Sequence, residues 1–182
     1  MLEVDLRPLD DTDLPILLAW AHMLKIWEYL PTSRRSEILT WEEHNKWFHF
    51  KRNNRFDWTI LLDDGKWKQR SVGMVHVIEI HEEYPEVGLY IGDVNLWGKG
   101  IGKRALQLVI GRMSVYSHIQ GLHAIIHPDN KRSIRLFKSL GFKKVGEARK
   151  GQDRYECTFS RPSGPIPIHQ FRSKLSDQPS PI

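Results

Sequence analysis

Hydrophobic and polar positions alternate over residues 2–9, where Leu2, Val4 and Leu6 interleave with charged residues. This period of two predicts a first strand. Asp11-Thr12-Asp13 then offers a helix N-cap, and Pro15 lies where a first helical turn tolerates proline, so we expect a helix as far as about Tyr29. A second helix is predicted from Thr40, because Thr40-Trp41-Glu42-Glu43 is a capping box.

The rest of the pattern alternates strands and helices. Apolar runs predict strands over Phe56–Leu62, Val72–Ile80 and Glu86–Ile91, the first two joined at the turn Asp63-Asp64-Gly65-Lys66. Further along we expect a helix over 98–117, a strand over 121–127, a helix over 130–140, and strands over 143–149 and 154–159. The fold class predicted is α/β (α+β), with a mixed sheet of six or seven strands and about four helices.

Three glycines at alternate positions, Gly98, Gly100 and Gly102, separate the strand that ends at Ile91 from the helix that follows. The first amides of a helix have no internal partner and lie at the positive end of its dipole, so they attract anions. Glycines let a phosphate approach the backbone closely. The segment therefore predicts a phosphate site, although a turn that merely connects strand and helix would show the same glycines.

The spacing of the glycines narrows the choice of ligand. It departs from the dinucleotide pattern G-x-G-x-x-G and from the P-loop, in which Ser or Thr follows the lysine, since Gly100 follows Lys99 here. Residues 97–102, WGKGIG, instead resemble the [QR]-x-x-G-x-[GA] loop of the GNAT acetyltransferases. Trp97 departs from that pattern at its first position, which leaves the backbone amides to hold a pyrophosphate.

A second segment resembles the same family. His127 to Phe142 follows its N-x-x-[AS]-x-x-x-[YF]-x-x-x-GF signature, with Asn130 first and Phe137 at the aromatic position. Asn130 can also cap a helix, and Gly141 can end it. The resemblance spans roughly residues 2–160 and implies a GNAT fold in which the fourth and fifth strands splay apart. Residues 1–160 would form this domain, and residues 161–182, rich in Pro and Ser, an irregular tail.

The resemblance implies acetyl-CoA as co-substrate. The residues it assigns to cofactor binding lie on the fourth strand, the glycine loop and the second signature: Tyr90, Ile91, Gly92, Gly98, Lys99, Gly100, Ile101, Gly102, Lys103, Asn130 and Phe137. The family's usual general-acid tyrosine falls at Phe137, which has no proton to give. A leaving thiolate would then be protonated by water or another side chain, or would leave as the anion.

Glu86 is the candidate catalytic base. It lies eleven residues before Trp97, as the catalytic glutamate does in histone-acetyltransferase-type members; it could equally be a polar residue at the start of a strand. The base of aminoglycoside 6′-acetyltransferases falls at Gly88, and the glutamate of ribosomal-protein N-terminal acetyltransferases falls at Ile125. Neither position can carry a proton here.

Composition excludes several other classes of function. The net charge is only +5, part of it in the tail, so a nucleic-acid partner is not expected. No apolar run is long enough for a membrane span, and the N-terminus has no signal-peptide pattern. The single cysteine, Cys157, suits a small buried side chain and a reducing cytoplasm. His123 and His127 could share a strand face, but no third ligand is evident, so no metal is expected.

The N-terminal helices would form the acceptor pocket of a GNAT domain, and here they are rich in aromatic residues. Trp20-Ala21-His22 with Glu43 to Phe48 loosely resembles the W-R-N … E-H-x-x-W-F pattern of nucleotide-sugar amine acetyltransferases. We therefore expect an N-acetyltransferase that acts on a small-molecule amine. The favoured acceptor is an amino sugar, either nucleotide-linked or aminoglycoside-like. The alternatives are a protein N-terminus, a polyamine, or a CoA-binding module without catalysis; a homodimer stays open as the assembly.

Overall fold

A computed structural model describes residues 2–29, 40–50, 54–148 and 151–160. Its strands are β1 (Glu3–Pro8), β2 (Arg55–Asp63), β3 (Arg70–Ile78), β4 (Glu86–Ile91), β5 (Gly121–Ile126), β6 (Lys143–Glu147) and β7 (Asp153–Thr158). Its helices are α1 (Leu14–Ala21), α2 (Trp41–Phe50), α3 (Ile101–Met113) and α4 (Lys131–Lys138), with short 3-10 turns at Asp11–Asp13 and Val94–Leu96. The expected tail, 161–182, lies outside the described residues.

The seven strands form one sheet in the order β1-β2-β3-β4-β5-β7-β6. Neighbouring strands are antiparallel except β4 and β5, which run parallel and share a single residue pair, Glu86 with His123. By contrast β3 and β4 pair over six residues. The sheet therefore opens between β4 and β5 beyond Glu86, which confirms the splay expected from the resemblance.

The two N-terminal helices begin where the capping pattern predicts. The Thr40–Glu43 capping box is present, with the Thr40 amide donating to Glu43 Oε2 at 2.8 Å and the Glu43 amide donating to Thr40 Oγ1 at 3.3 Å. α1 was predicted to reach Tyr29 but ends at Ala21, and residues 22–29 continue in turns. That part of the prediction is wrong, because Trp27 turns back so that its indole donates to the Trp20 carbonyl at 3.0 Å.

α3 is also shorter than the predicted 98–117. Gly98 and Gly100 adopt φ of +78° and +82°, in the left-handed region, so the helix begins only at Ile101. In the other elements the predicted and observed bounds differ by at most two residues, and both bounds of β4 match.

The core lies on both faces of the sheet. α3 and α4 cover one face, where Trp58, Ile101, Leu106 and Leu122 are almost fully buried. α1 and α2 cover the other face over the strands of the N-terminal half of the chain. There Leu17, Trp20, Phe48 and Met74 form a second cluster of buried side chains. Cys157 is buried as expected. Among the described residues no helix is long and apolar enough to cross a membrane.

Candidate active site

The open edge of β4 is the feature around which the site is built. The Gly92 amide donates to the Val72 carbonyl at 2.8 Å, so it is engaged with β3. Backbone groups alternate in direction along an antiparallel pair. The amides of Leu89 and Ile91 therefore point away from β3, toward the gap left by β5. Sequence reasoning chose Tyr90, Ile91 and Gly92 and missed Leu89, because only the pairing with β3 shows which amides face the gap.

The side chain of Tyr90 lies on the α1 face of the sheet. Its ring packs at 5.2 Å from Trp27 and at 5.9 Å, edge-on, from Trp20. The hydroxyl donates to Met74 Sδ at 3.9 Å, and burial raises the pKa of Tyr90 well above its ordinary value. Tyr90 therefore forms part of an aromatic wall and keeps its proton at neutral pH.

Trp20 also closes the end of β4. A Cβ built on Gly92 would lie only 2.1 Å from the Trp20 indole. Only glycine lets the indole approach the backbone so closely. Trp20 and Trp27 therefore line the α1 side of β4 next to its open edge.

The glycine loop presents backbone with room around it. A Cβ on Gly98 or Gly100 would meet nothing within 4 Å, and Gly100 caps α3 without a side-chain hydrogen bond. The first backbone amides of α3, at Ile101, Gly102 and Lys103, have no partner within the helix and point out of its N-terminus. An anion can bind to amides in this arrangement. Gly102 packs tightly, since its Cβ would lie 3.3 Å from side-chain atoms of Leu89 and Leu136.

Two cationic side chains lie over the ring of Trp97, the residue that departs from the family pattern, beside this loop. The Arg132 guanidinium lies 3.4 Å from the centre of its ring system, and Lys25 Nζ lies 5.8 Å from it. Its indole N–H donates to the Ile91 carbonyl at 2.8 Å, which anchors the ring at the end of β4. Partial burial lowers the pKa of Arg132 from its ordinary value, but the guanidinium stays charged at neutral pH. Sequence reasoning did not single out this stack.

The second signature builds the start of α4. Asn130 Oδ1 accepts from the Ser133 amide at 3.1 Å and caps the helix. Phe137 is 2 % exposed and packs edge-on against Phe142, with 4.9 Å between ring centres. Lys99 and Lys103, predicted beside the cofactor, have exposed side chains.

Glu86 lies where β4 and β5 part. Its Oε2 is 3.7 Å from Nε2 of His123, a residue that is 4 % exposed. His76 lies over the neighbouring Gly88, whose Cβ would come within 2.6 Å of the His76 imidazole. Sequence reasoning considered His123 only as a metal ligand and did not connect it with Glu86. No group of three or more ligand-type side chains among the described residues is placed to hold a metal ion.

The other charges on this face of the sheet are internally compensated. Arg55 binds Asp57 at 2.6 Å, and Arg154 binds Glu156 at 2.6 Å. On α2, Glu42 pairs with Lys46 at 2.8 Å. These three carboxylates are therefore neutralised by neighbouring cations.

The segments around Trp20 and His44, distant in sequence, meet in the second cluster. Trp20 shares that cluster with Phe48, and Trp47 packs against it. His44 is 6 % exposed and stacks on Trp47 at 5.4 Å. Burial, and secondarily the charge of His22, lowers the pKa of His44, so the ring is neutral.

Comparison with known proteins agrees with this geometry. The model of the acetyltransferase (GNAT) domain family matches residues 3–143. The chain belongs to the GNAT acetyltransferase family. Protein MJ1062 of Methanocaldococcus jannaschii, itself uncharacterized, is 38% identical over 157 residues, which are 86% of this chain and 31% of that protein. The chain thus spans about a third of that relative's length.

Other members of the GNAT family share the sequence or the fold. Spermidine N(1)-acetyltransferase of Escherichia coli K12 is 25% identical over 148 residues, 79% of this chain and 75% of that protein. The match to the crystal structure of a domain from M. jannaschii covers 87% of this chain and 100% of that domain's chain, with a TM-score of 0.80 and 37% identity. Aminoglycoside acetyltransferase AAC(6')-Ib, solved with coenzyme A, has the same fold, with a TM-score of 0.72 and 16% identity over 86% of this chain and 95% of its own.

Proposed function

We propose that this domain transfers an acetyl group from acetyl-CoA to a primary amine, and that the amine belongs to an amino sugar. The observation that carries the proposal is the gap between β4 and β5, which share only the Glu86–His123 pair. The gap leaves a strand edge open next to a glycine loop and the first amides of α3. An extended amide-bearing arm can pair with such an edge, and a diphosphate can bind such a loop.

The residues present fit acetyl-CoA. Gly98 and Gly100 leave space where side chains would intrude. Lys99, Lys103 and the Arg132 guanidinium stacked on Trp97 would supply positive charge for the phosphates. Ile91 and Leu89 would supply the amides for the pantetheine arm and the thioester. Asn130 would contribute from the start of α4, through the amide nitrogen that its capping bond does not use.

The chain's own groups supply what the transfer needs besides the acetyl donor. Acetyl-CoA, when bound, provides an acetyl group on a sulfur that leaves as a thiolate. Glu86 accepts a proton from the ammonium form of the acceptor, so that the nitrogen can attack through its lone pair. An N–H of the β4 edge favours negative charge on an acyl oxygen. Trp20 and Trp27 keep water away from the acceptor side of the strand.

The amino-sugar assignment rests on the aromatic wall and the balanced charges. Trp27, which is partly exposed, offers a flat face on which a sugar can stack, whereas Trp20 is 4 % exposed and belongs to the core behind it. A polyamine would need several unpaired carboxylates, whereas Asp57 and Glu156 are each bound to an arginine. The relatives' names include both aminoglycoside and spermidine acetyltransferases. The charge balance favours the sugar.

A turnover screen tests the proposal. Release of CoA thiol from acetyl-CoA is measured with free and nucleotide-linked amino sugars, N-terminal peptides and spermidine, with Glu86→Gln as the control. Highest kcat/KM on an amino sugar is the expected result. Preference for peptides or spermidine would overturn the acceptor and leave acetyl transfer standing.

A second candidate is a CoA-binding module without catalysis, favoured by Phe137 at the place of the usual acid. It predicts binding of acetyl-CoA in a thermal-shift assay with no thiol release from any amine. The two readouts together therefore separate the two functions.

A further inference from the structure

His123 lies at the point where the sheet opens, and its protonation is constrained by the backbone. Nδ1 is 2.6 Å from the carbonyl oxygen of Tyr84. A carbonyl oxygen can only accept a hydrogen bond, so Nδ1 carries a proton. The neutral ring then has its lone pair on Nε2. The buried position of His123 holds the ring in this orientation.

Nε2 faces the carboxylate of Glu86. The distance from Nε2 to Oε2 is 3.7 Å, and the Glu86 side chain is 19% exposed against 5% for His123. Two acceptors in this arrangement repel unless a proton lies between them or a water bridges them. The Glu86 carboxylate is therefore the more accessible member of the pair, and the imidazole is almost fully buried. The arrangement suits a relay in which the carboxylate meets the substrate and the imidazole supports it.

The other charged and titratable groups around this pair lie on the neighbouring strands. On β3, His76 lies over Gly88, two residues along β4 from Glu86. On β7, Glu156 is opposite His123 but is bound to Arg154, and on β6 Lys143 is opposite Glu156. The Tyr84 hydroxyl bonds Thr158 at 3.2 Å, away from the imidazole.

We propose that Glu86 and His123 act as one proton-accepting unit, in which His123 is a positioning residue that stabilises the proton taken up by Glu86. The inference rests on the proposed acetyl transfer. In the step, the ammonium N–H bond breaks and its proton passes to Glu86 and the facing Nε2, while the electron pair stays on nitrogen. The amine then forms the bond to the acetyl carbon as the carbon–sulfur bond breaks, and the surplus proton on the new amide nitrogen passes through water to the leaving thiolate, which gives the neutral amide and the CoA thiol. The unit returns its proton to solvent.

Nitrogen NMR of the histidine side chains tests the pairing without any turnover. We expect His123 to show Nδ1–H in the free protein at neutral pH, as the Tyr84 carbonyl requires. In Glu86→Gln the Nε2 signal of His123 should shift, because the facing carboxylate becomes an amide that can donate to the Nε2 lone pair, while the signals of His118 stay in place. His118 is the matched control, since its Nε2 contacts the Ile80 carbonyl at 2.9 Å. An Nε2–H tautomer, or no response to the substitution, would overturn the pairing.

Kinetics of His123→Asn tests the role. Asparagine can keep a donor where Nδ1 stands and has nothing where Nε2 stands, so the contact with Tyr84 survives. We expect kcat to fall on the order of tenfold at neutral pH, with the loss shrinking in alkali and KM for acetyl-CoA unchanged. His118→Asn should behave as wild type.

The outcomes separate the inference from the function. An unchanged pH–rate profile in His123→Asn overturns the inference and leaves acetyl transfer intact. Absence of turnover in the wild-type protein overturns the proposed function, and the NMR result then decides whether the pair exists. If His123→Asn unfolds, the response of His123 to Glu86→Gln carries the test alone.

Discussion

At the residue scale, Glu86 combines partial exposure with a position at the only β4–β5 pair. Glu86→Gln keeps the shape and removes the basic oxygen. We expect kcat/KM for the amine to fall by about 10²-fold at neutral pH, with recovery toward pH 9, where the deprotonated amine needs no base. Initial rates between pH 6 and pH 9.5 measure this. A uniform loss at every pH would make Glu86 a structural residue.

Gly92 is a second single-residue determinant, because the Trp20 indole lies on it. Gly92→Ala places a methyl group about 2 Å from the ring and forces the indole or the strand to move, which we expect to cost about 1–3 kcal/mol in the free energy of unfolding. Urea denaturation measures it. The matched control is Gly111→Ala on α3, where a Cβ meets nothing within 4 Å and a gain of up to about 1 kcal/mol is expected. Equal stability of the two variants would refute the contact.

Burial suppresses the reactivity of the Cys157 thiol. Burial raises the pKa of Cys157 to about 11. Since the thiolate is the reactive form, only about one thiol in a thousand is ionised at pH 8. Alkylation of the folded protein should therefore be slow at pH 8, should accelerate with each unit of pH up to about 11, and should become fast in urea. Rapid labelling of the folded protein at pH 8, followed by mass spectrometry, would contradict this.

At the element scale, residues 22–29 explain why α1 stops early. Trp27 returns to Tyr90 on β4, and Tyr29 reaches His127 after β5, with 5.7 Å between ring centres. The segment therefore bridges the two strands that part. A helix continued past Ala21 would carry these aromatic rings along a single axis, away from one of the two strands. Packing across the gap outweighs the weak intrinsic preference for helix.

The glycine loop and α3 form the other functional element. Gly100→Asp puts a side chain and a negative charge where a pyrophosphate would bind, and Gly102→Asp forces a carboxylate against Leu89 and Leu136 at the first turn of α3. We therefore expect both to abolish acetyl-CoA binding. Gly100→Asp also strains the backbone, since φ is +82° there. Isothermal titration calorimetry gives the affinity. Gly111→Asp, with the same chemical change further along α3, should bind as wild type; undiminished binding in both loop variants would place the phosphates elsewhere.

At the scale of the whole molecule, the sheet consists of two groups of strands, β1–β4 and β5–β7, which are paired only through Glu86 and His123. The helix α3 packs across one face of this sheet. Acetyl-CoA bound in the gap would join β4 to the side of β5. A ligand that binds only the folded state at 100 times its Kd adds about 2.7 kcal/mol of stability. For a domain of this size we expect Tm to rise by roughly 5–10 °C. Differential scanning calorimetry measures the shift, and Gly100→Asp should show none.

Whether a feature of this protein can be predicted from its sequence depends on how far apart in the chain the interacting residues lie. The Thr40–Glu43 capping box, the bounds of β4, the glycine turn before α3 and the order of the elements are consequences of local sequence. Each depends on neighbours within a few positions, through alternation, capping and backbone freedom. Sequence by itself therefore determined the fold class and the place of the glycine loop.

Only the tertiary structure decided the rest of the candidate site. Whether a β4 amide is open depends on which residue of β3 it faces, so Leu89 replaces Gly92 as a donor at the gap. The early end of α1 depends on packing across strands that lie far apart in the chain. His123 meets Glu86 because β5 returns beside β4 after α3, a contact over 37 positions that no local pattern records. Long-range pairing selects among local possibilities, and it does so through burial and hydrogen bonds that exist only once the sheet has formed.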